Sequence, residues 1–245
     1  MKVTTIKTEA IRANEISLIE LIDKYITVLP ERSVVVITSK VVSLCEGNVV
    51  KIGAADVQEL AKREAQYYMP PPNEAGYALT VNRNILISKA GIDESNTGGY
   101  YVLWPADPQK SANAVREHLV KKFGVTVGVI LSDSRVTPMR RGVIGVGLAH
   151  SGFKALQYLA GQPDIFGGYE LKYTYTAVLD GLTAAAVVQM GEGAQRTPIA
   201  IIEEADFVEF QDRNPSGDEL EKLVMPMEED IFADMLKGIP WDKRP

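Results

Sequence analysis

The stretch TVGVILSDSR, Thr126 to Arg135, decides how the rest of the chain is interpreted. Its first seven residues form a β-branched, apolar run that predicts a buried strand over Thr126–Ser132. Asp133 and Ser134 follow directly, which predicts that they sit at the carboxyl end of that strand, where αβ proteins usually bind ligands. A carboxylate beside a hydroxyl is a common oxygen-ligand pair for Mg²⁺ or Mn²⁺, although an aspartate that caps a loop gives the same pattern.

A second acidic strand end lies upstream, in the segment SKAGIDESN (Ser88–Asn96). The predicted strand Asn84–Ser88 is followed by a glycine suited to a tight turn. Asp93, Glu94 and Asn96 come next, and all three carry side-chain oxygen donors. Two acidic strand ends predict one shared metal site.

Three arginines and a glycine-containing loop are the remaining candidates for ligand binding. Arg135, Arg140 and Arg141 either neutralise the acids structurally or bind the phosphates or carboxylates of a substrate. The segment GEGAQRTP (Gly191–Pro198) lies between a helical pattern and a strand, and its small residues allow backbone N–H groups to approach a ligand. No GxxxxGK[ST] motif and no properly spaced GxGxxG fingerprint occurs, which disfavours the familiar nucleotide-binding folds.

The two histidines do not indicate a metal centre, because neither has metal-ligand spacing to another histidine or to the single cysteine, Cys45. His118 is expected on the surface of a helix. His150, in the segment AHSG, is either a hydrogen-bonded structural residue or a neighbour of the site. No GxSxG motif with triad partners occurs, so covalent acyl-enzyme chemistry has little support.

The periodicity predicts an α+β fold, with mixed, largely antiparallel sheets and packed helices, because strands are not regularly separated by single helices. Apolar residues at helical spacing predict helices at Ile16–Ile26, Asp56–Gln66, Ser111–Phe123 and Leu182–Met190. Further β-branched runs predict strands at Val34–Thr38, Tyr100–Trp104, Leu171–Val178 and Ile199–Glu203.

Two breaks divide the chain. The segment YYMPPPNEAGY (Tyr67–Tyr77) carries three successive prolines and predicts a loop or subdomain joint. A second break, QDRNPSGDE (Gln211–Glu219), precedes two short acidic amphipathic stretches. Residues 1–210 are therefore predicted to form the catalytic domain, and residues 211–245 a C-terminal helical arm.

Composition limits the class of partner. The chain has 245 residues, a net charge of −6 and no block of basic residues, which argues against nucleic acid or an anionic membrane surface. No apolar run approaches the ~20 residues that span a bilayer, and no secretory signal is evident, so a cytoplasmic location is expected. Small molecules are the expected partners.

Five motifs, taken in order, resemble the GTP-dependent coenzyme F420-0:L-glutamate ligase family, the gamma-glutamyl ligases. The motifs are VVVITSKVVSLCEGNVV (Val34–Val50), GIDESN (Gly91–Asn96), SDS…RRG (Ser132–Gly142), GVIGVGLAHSGFKAL (Gly142–Leu156) and MGEG…TP (Met190–Pro198). In the first of these, the resemblance implies an early strand, a Ser/Lys turn and an EG hairpin. For the whole chain it implies the gamma-glutamyl ligase-like fold and an intertwined homodimer.

The resemblance also implies the reaction and its participants. GTP phosphorylates a carboxylate, and the amine of glutamate attacks the acyl phosphate to give an amide, GDP and phosphate. Two Mg²⁺ or Mn²⁺ ions, with K⁺ as a further candidate cation, are implied beside the GTP. By position, Asp93, Asp133 and Ser134 match metal ligands, and Glu192 is a further candidate. The matched nucleotide contacts are Ser39, Lys40, Asn96, Gly191, Glu192, Gly193, Ala194, Gln195 and Thr197. The implied catalytic residues are Asp133, which would hold metal, and Arg140 and Arg141, which would neutralise anionic substrate groups.

The sequence departs from the family pattern in two places. Leu44 stands where the family commonly has a lysine, and Val136 and Thr137 stand where it usually has Gly-Arg. Leu44 removes a cation expected near the nucleotide, and Val136 and Thr137 indicate a different acceptor pocket. The departures keep open a non-catalytic guanine-nucleotide-binding protein as a rival function. A second rival, a metal-dependent nucleotide phosphohydrolase or phosphotransferase, would use the same acids.

Overall fold

The computed structural model describes residues 1–71 and 76–243, which form both strands and helices. Within these ranges the strands are β1 (Lys2–Ile6), β2 (Ser33–Thr38), β3 (Val49–Lys51), β4 (Tyr67–Met69), β5 (Leu79–Asn82), β6 (Ile85–Ser88), β7 (Tyr100–Val102), β8 (Val127–Val136), β9 (Val143–Ser151), β10 (Leu156–Tyr158), β11 (Tyr175–Ala177), β12 (Ile199–Glu203) and β13 (Asp242–Lys243). The helices are α1 (Leu18–Tyr25), α2 (Ser39–Glu46), α3 (Val57–Glu64), α4 (Pro108–Phe123), α5 (Val178–Met190), α6 (Gly217–Leu223) and α7 (Ala233–Lys237), with a 3-10 turn at Lys89–Gly91.

A central five-stranded sheet has the order β1-β12-β2-β8-β9. Only the β2–β8 pair is parallel, and the other three pairs are antiparallel. Both faces of the sheet are covered, which is why its middle strands read as continuous apolar runs. Three further sheets among the described residues are antiparallel: β13-β4-β5-β6, β3-β7 and β10-β11. The predicted α+β class with mixed, largely antiparallel sheets is confirmed.

Helices pack on both faces of the central sheet. On one face, α1 and α4 cover the alternate residues Val35, Ile37 and Val129. On the other face, Leu179, Leu182 and Ala186 of α5 pack against Val34, Val36 and Ile130.

Two glycines bring α5 against β9. A Cβ on Gly145 would lie 2.7 Å from the carbonyl oxygen of Thr183, and one on Gly147 would overlap Leu179. Because these side chains are absent, the helix lies directly on the strand. Its carboxyl end, at Met190, is thereby placed beside β8.

The predicted Ser/Lys turn and EG hairpin after β2 are wrong, because the segment forms helix α2. The helix ends at Gly47, which adopts the left-handed conformation that caps a helix (φ 72°). The following strand, β3, pairs with β7 rather than folding back on β2. The side chains of the β-branched valines Val41 and Val42 are buried on the helix.

Several predicted boundaries also need correction. Helix α4 begins at Pro108 because Asp107 caps its amino end, accepting a hydrogen bond from the Lys110 amide. Helix α5 begins at Val178, so the strand predicted over Leu171–Val178 is reduced to Tyr175–Ala177.

The Pro-rich loop predicted over Tyr67–Tyr77 contains β4 in its first three residues. Strand β4 pairs with both β5 and β13. Residues 72–75 of this loop lie outside the described residues.

The segment after residue 210 carries two short helices and contacts the rest of the chain at several points. Asn214 accepts a hydrogen bond from the buried Arg116, and Leu223 packs on the core beneath α5. Strand β13 pairs with β4. The division into a catalytic domain and an arm stays a prediction.

Candidate active site

A cavity of about 520 Å³ opens at the carboxyl end of β2 and beside residues 132–134 of β8. Its walls are residues 8–11, part of α2, these β8 residues, Val187 and residues 190–198, with Asp93 and Asn96 at one side. Eleven of the sequence-predicted site residues line it: Lys40, Asp93, Asn96, Asp133, Ser134, Gly191, Glu192, Gly193, Ala194, Gln195 and Thr197. Residues that are up to about 160 positions apart in sequence therefore meet in one place.

Asp133 lies within strand β8 rather than at its end. The strand continues to Val136, so the prediction that it stops at Ser132 is wrong, although its fully buried part does stop there. The register of the β8–β9 pair shifts between Leu131 and Ser132, because Leu148 is an extra residue on β9. Such a bulge re-aims the side chains that follow it.

The Asp133 carboxylate receives two neutral hydrogen bonds. The backbone N–H of Ser134 donates to Oδ1 at 2.8 Å, and the indole Nε1–H of Trp104 donates to Oδ2. Burial raises the pKa of Asp133 to about 7 and the nearby Asp93 adds to this rise, which the two donors and the charge of Lys40 oppose only in part. The negative charge of Asp133 is therefore poorly compensated, and a bound cation would stabilise it.

Asp93 has the opposite environment. Lys40 Nζ lies 2.7 Å from its Oδ2, and the Ser95 amide donates to its Oδ1 at 2.7 Å. Burial opposes ionisation of Asp93, but the Lys40 contact and the Ser95 donors outweigh it, so the pKa of Asp93 is lowered. Lys40 also donates to the Ser95 carbonyl oxygen at 3.0 Å, which ties α2 to this loop.

The loop between α5 and β12 closes the cavity. Ser134 Oγ donates to Glu192 at 3.3 Å, and Asn96 Nδ2 donates to the Gly193 carbonyl oxygen at 3.3 Å. Gln195 accepts a hydrogen bond from the Gly193 amide at 2.8 Å. The loop thus contacts both acidic segments.

Five candidate residues do not line the cavity: Ser39, Glu94, Arg135, Arg140 and Arg141. Ser39 is buried at the start of α2. Arg140 and Arg141 are exposed in the turn between β8 and β9, outside the cavity wall, and their catalytic role stays a prediction. Arg135 also lies outside the wall, and its buried Nε has no hydrogen-bond partner.

Sequence reasoning missed Trp104 and the wall formed by residues 8–11. Trp104 is 29 positions from Asp133, and no motif links the two. Leu44, the residue at the departure from the family pattern, lines the cavity as part of an apolar wall with Val41.

The oxygen donors suit a hard cation that keeps some of its own water. Among residues 1–71 and 76–243, no three Asp, Glu, His or Cys side chains converge with metal-ligand geometry. Mg²⁺ is typically held by one or two carboxylates together with water and substrate phosphates, and Asp133 and Asp93 can supply that set. The histidines do not contribute: His118 contacts Asp23 at 2.7 Å, and His150 is buried against Phe153.

The fold and the cavity define an α+β protein with a small-molecule site built around carboxylates. The sequence profile described as F420-0:Gamma-glutamyl ligase matches residues 5–204. This chain belongs to that family, whose members are ligases that form amide bonds. The resemblance found in the sequence motifs is confirmed.

Curated relatives cover most of the chain. A protein of Methanocaldococcus jannaschii named coenzyme F420:L-glutamate ligase is 34% identical over 234 residues, which are 89% of this chain and 90% of the relative. A Methanococcus maripaludis protein of the same name is 32% identical over 95% of this chain and 97% of its own length. One from Archaeoglobus fulgidus is 30% identical over 83% and 85%. Across the described residues, the structure has no helix that is both long and apolar enough to cross a bilayer.

Proposed function

We propose that this chain is a GTP-dependent ligase that joins L-glutamate, or a related amino acid, to an anionic acceptor resembling coenzyme F420-0. Membership of the family and the shared name of the relatives support glutamate ligation. The observation that carries the proposal is the Asp133 carboxylate, which has only neutral donors, at a cavity of about 520 Å³. That volume is within the range of small-molecule sites.

The proposed reaction has two displacements. A carboxylate oxygen of the acceptor attacks the γ-phosphorus of GTP, and the bond between that phosphorus and the GDP oxygen breaks. The amine nitrogen of glutamate then attacks the carbonyl carbon of the acyl phosphate, the bond to the phosphate oxygen breaks, and the amine loses a proton. The products are an amide, GDP and phosphate, so phosphate release requires both the acceptor and the amine.

The proposed ligands for Mg²⁺ or Mn²⁺ are Asp133, Asp93, Ser134 and Glu192. Two such ions are proposed, and K⁺ is a further candidate cation. A bound cation supplies neutralisation of the phosphoryl charge. Lys40 is paired with Asp93 at 2.7 Å, so it competes with a cation for that carboxylate. Since Leu44 provides no charge, Lys40 is the proposed cationic contact to the nucleotide phosphates.

Phosphate release and product mass test the proposal directly. The purified chain is incubated with GTP, MgCl₂ or MnCl₂, glutamate and coenzyme F420-0, and each component is omitted in turn. We expect phosphate release only with the full mixture, and a product heavier than the acceptor by one glutamyl residue.

Two other results would point to the rival functions. Phosphate release that does not depend on glutamate and acceptor would favour a phosphohydrolase. Tight GTP or GDP binding without turnover across an acceptor panel would favour a non-catalytic nucleotide-binding protein.

A homodimer is also proposed, supported by exposed apolar side chains on the segment between β10 and β11. Ile165, Phe166 and Tyr173 are 93%, 87% and 88% exposed, and clusters of this kind mark interaction surfaces. Sedimentation velocity should give the mass of two chains for the wild type and of one chain for the Ile165→Asp, Phe166→Asp double variant. A monomeric wild type at micromolar concentration would contradict the proposal.

A further inference from the structure

Trp104 is the neutral side chain that contacts the central carboxylate of the cavity. It follows β7, is only 6% exposed, and donates its indole N–H to Asp133 Oδ2. We propose that Trp104 is a positioning residue, which fixes the orientation of the Asp133 carboxylate without neutralising its charge. The inference rests on the proposed metal-dependent ligase.

Trp104 is held at its ring by Gly91 and at its backbone by Asn48. Gly91 packs against it so closely that an added Cβ would overlap the indole Nε1, and Gly91 has a φ of +81°. Asn48 Nδ2 donates to the Trp104 carbonyl oxygen at 2.6 Å, which fixes the backbone. The indole N–H is therefore directed at one point, and Asp133 Oδ2 is at that point.

The choice of a neutral donor has a chemical consequence. A lysine or arginine in the same place would orient Asp133 but also compensate its charge, as Lys40 does for Asp93 at 2.7 Å. Each carboxylate oxygen has about two lone-pair directions, and the Trp104 and Ser134 N–H groups occupy one direction on each oxygen. One direction per oxygen stays available for a cation.

The test uses Mn²⁺ alone as the probe and needs no turnover. Trp104→Phe keeps an aromatic ring and removes the N–H, and Asp133→Asn removes the charge. We expect Trp104→Phe to weaken Mn²⁺ about 10-fold or more in calorimetry, because lost outer hydrogen bonds to metal ligands typically cost 10–100-fold in affinity. Trp241→Phe is the matched control, because Trp241 donates to Leu236 in the C-terminal segment, and its Mn²⁺ affinity should equal that of the wild type.

A spectroscopic readout keeps the inference testable if Trp104→Phe fails to fold. The chain has two tryptophans, so Trp241→Phe leaves Trp104 as the sole indole emitter. Saturable quenching of its fluorescence by paramagnetic Mn²⁺, at the calorimetric midpoint, is expected. Absence of saturable quenching would overturn the inference.

The outcomes separate this inference from the proposed function. If Trp104→Phe binds Mn²⁺ like the wild type while Asp133→Asn does not, Trp104 has no positioning role and the metal site stands. If Asp133→Asn also binds Mn²⁺ like the wild type, the metal site at Asp133 is wrong and the inference fails with it.

Discussion

Substitution of Gly91 by alanine should destabilise the fold more than substitution of Gly98, which also has a positive φ but lies in open space. Gly91 has φ +81°, and an added Cβ would overlap the buried Trp104 indole. Gly98 is the matched control, because it has φ +69° and no atom lies within 4 Å of its added Cβ. The two variants share the backbone strain and differ in the steric overlap.

The expected magnitudes follow from that difference. An L-residue in the left-handed region costs about 1–2 kcal/mol, so Gly98→Ala should lose roughly that amount. Gly91→Ala should lose about 1–3 kcal/mol more, which is the usual cost of forcing extra atoms into a packed core. For a chain of this size, each kcal/mol lowers the melting temperature by about 2–4 °C.

Urea unfolding followed by circular dichroism measures both variants against the wild type. The midpoints should fall in the order wild type, Gly98→Ala, Gly91→Ala, with unchanged slopes. Gly91→Ala should also weaken Mn²⁺ binding, because the displaced indole no longer holds Asp133. Equal loss of stability in the two variants would refute the reasoning that Trp104 packs tightly on Gly91.

Three other predictions concern the site and the core. Asp133→Asn and Asp93→Asn should each abolish metal-dependent GTP binding in titration calorimetry with unchanged circular dichroism, and wild-type affinity in either would contradict the placement of the site. Burial lowers the pKa of His150 from 6.5 to about 4. As the pH falls, the unfolded chain therefore takes up the proton before the native state does. The free energy of unfolding should fall by about 3 kcal/mol between pH 6.5 and 4. Urea midpoints measured across this range should show that the loss is absent in His150→Gln, and a parallel pH profile for wild type and variant would disprove it. Ala186→Asp should prevent cooperative thermal unfolding, since it places an unpaired charge in the core beneath α5, whereas Gln189→Asp on the exposed side of the same helix should melt like the wild type.

Much of the architecture could be predicted from local pattern. The β-branched runs at β2, β8 and β12 and the helical spacing at α1, α3 and α4 gave these elements within a few residues of their observed limits. Helix α2 was missed because its β-branched residues favour extended chain locally. The helix is stabilised instead by the packing of the buried Val41, Val42 and Leu44. The predicted strand before α5 was too long, because the helix begins four residues earlier than the pattern indicated.

The candidate site was predicted in part. Acidic residues after two apolar runs indicated that Asp93 and Asp133 belong together, and both line the cavity with Lys40 and the loop after α5. The pattern could not place Arg140 and Arg141, which lie in an exposed turn, since the length of a β-hairpin decides where its tip projects.

The sequence by itself determined the α+β class, the family and most of the polar residues of the cavity, because alternation, helical spacing and short motifs depend on neighbours along the chain. Only the tertiary structure decided that Asp133 lies within a continuing strand, that a bulge at Leu148 precedes it on the pairing strand, and that Trp104 contacts its carboxylate. These features depend on how β8 pairs with β9 and on how the residues after β7 pack against β8. Contacts between residues tens of positions apart follow from burial and steric fit, which no local pattern records.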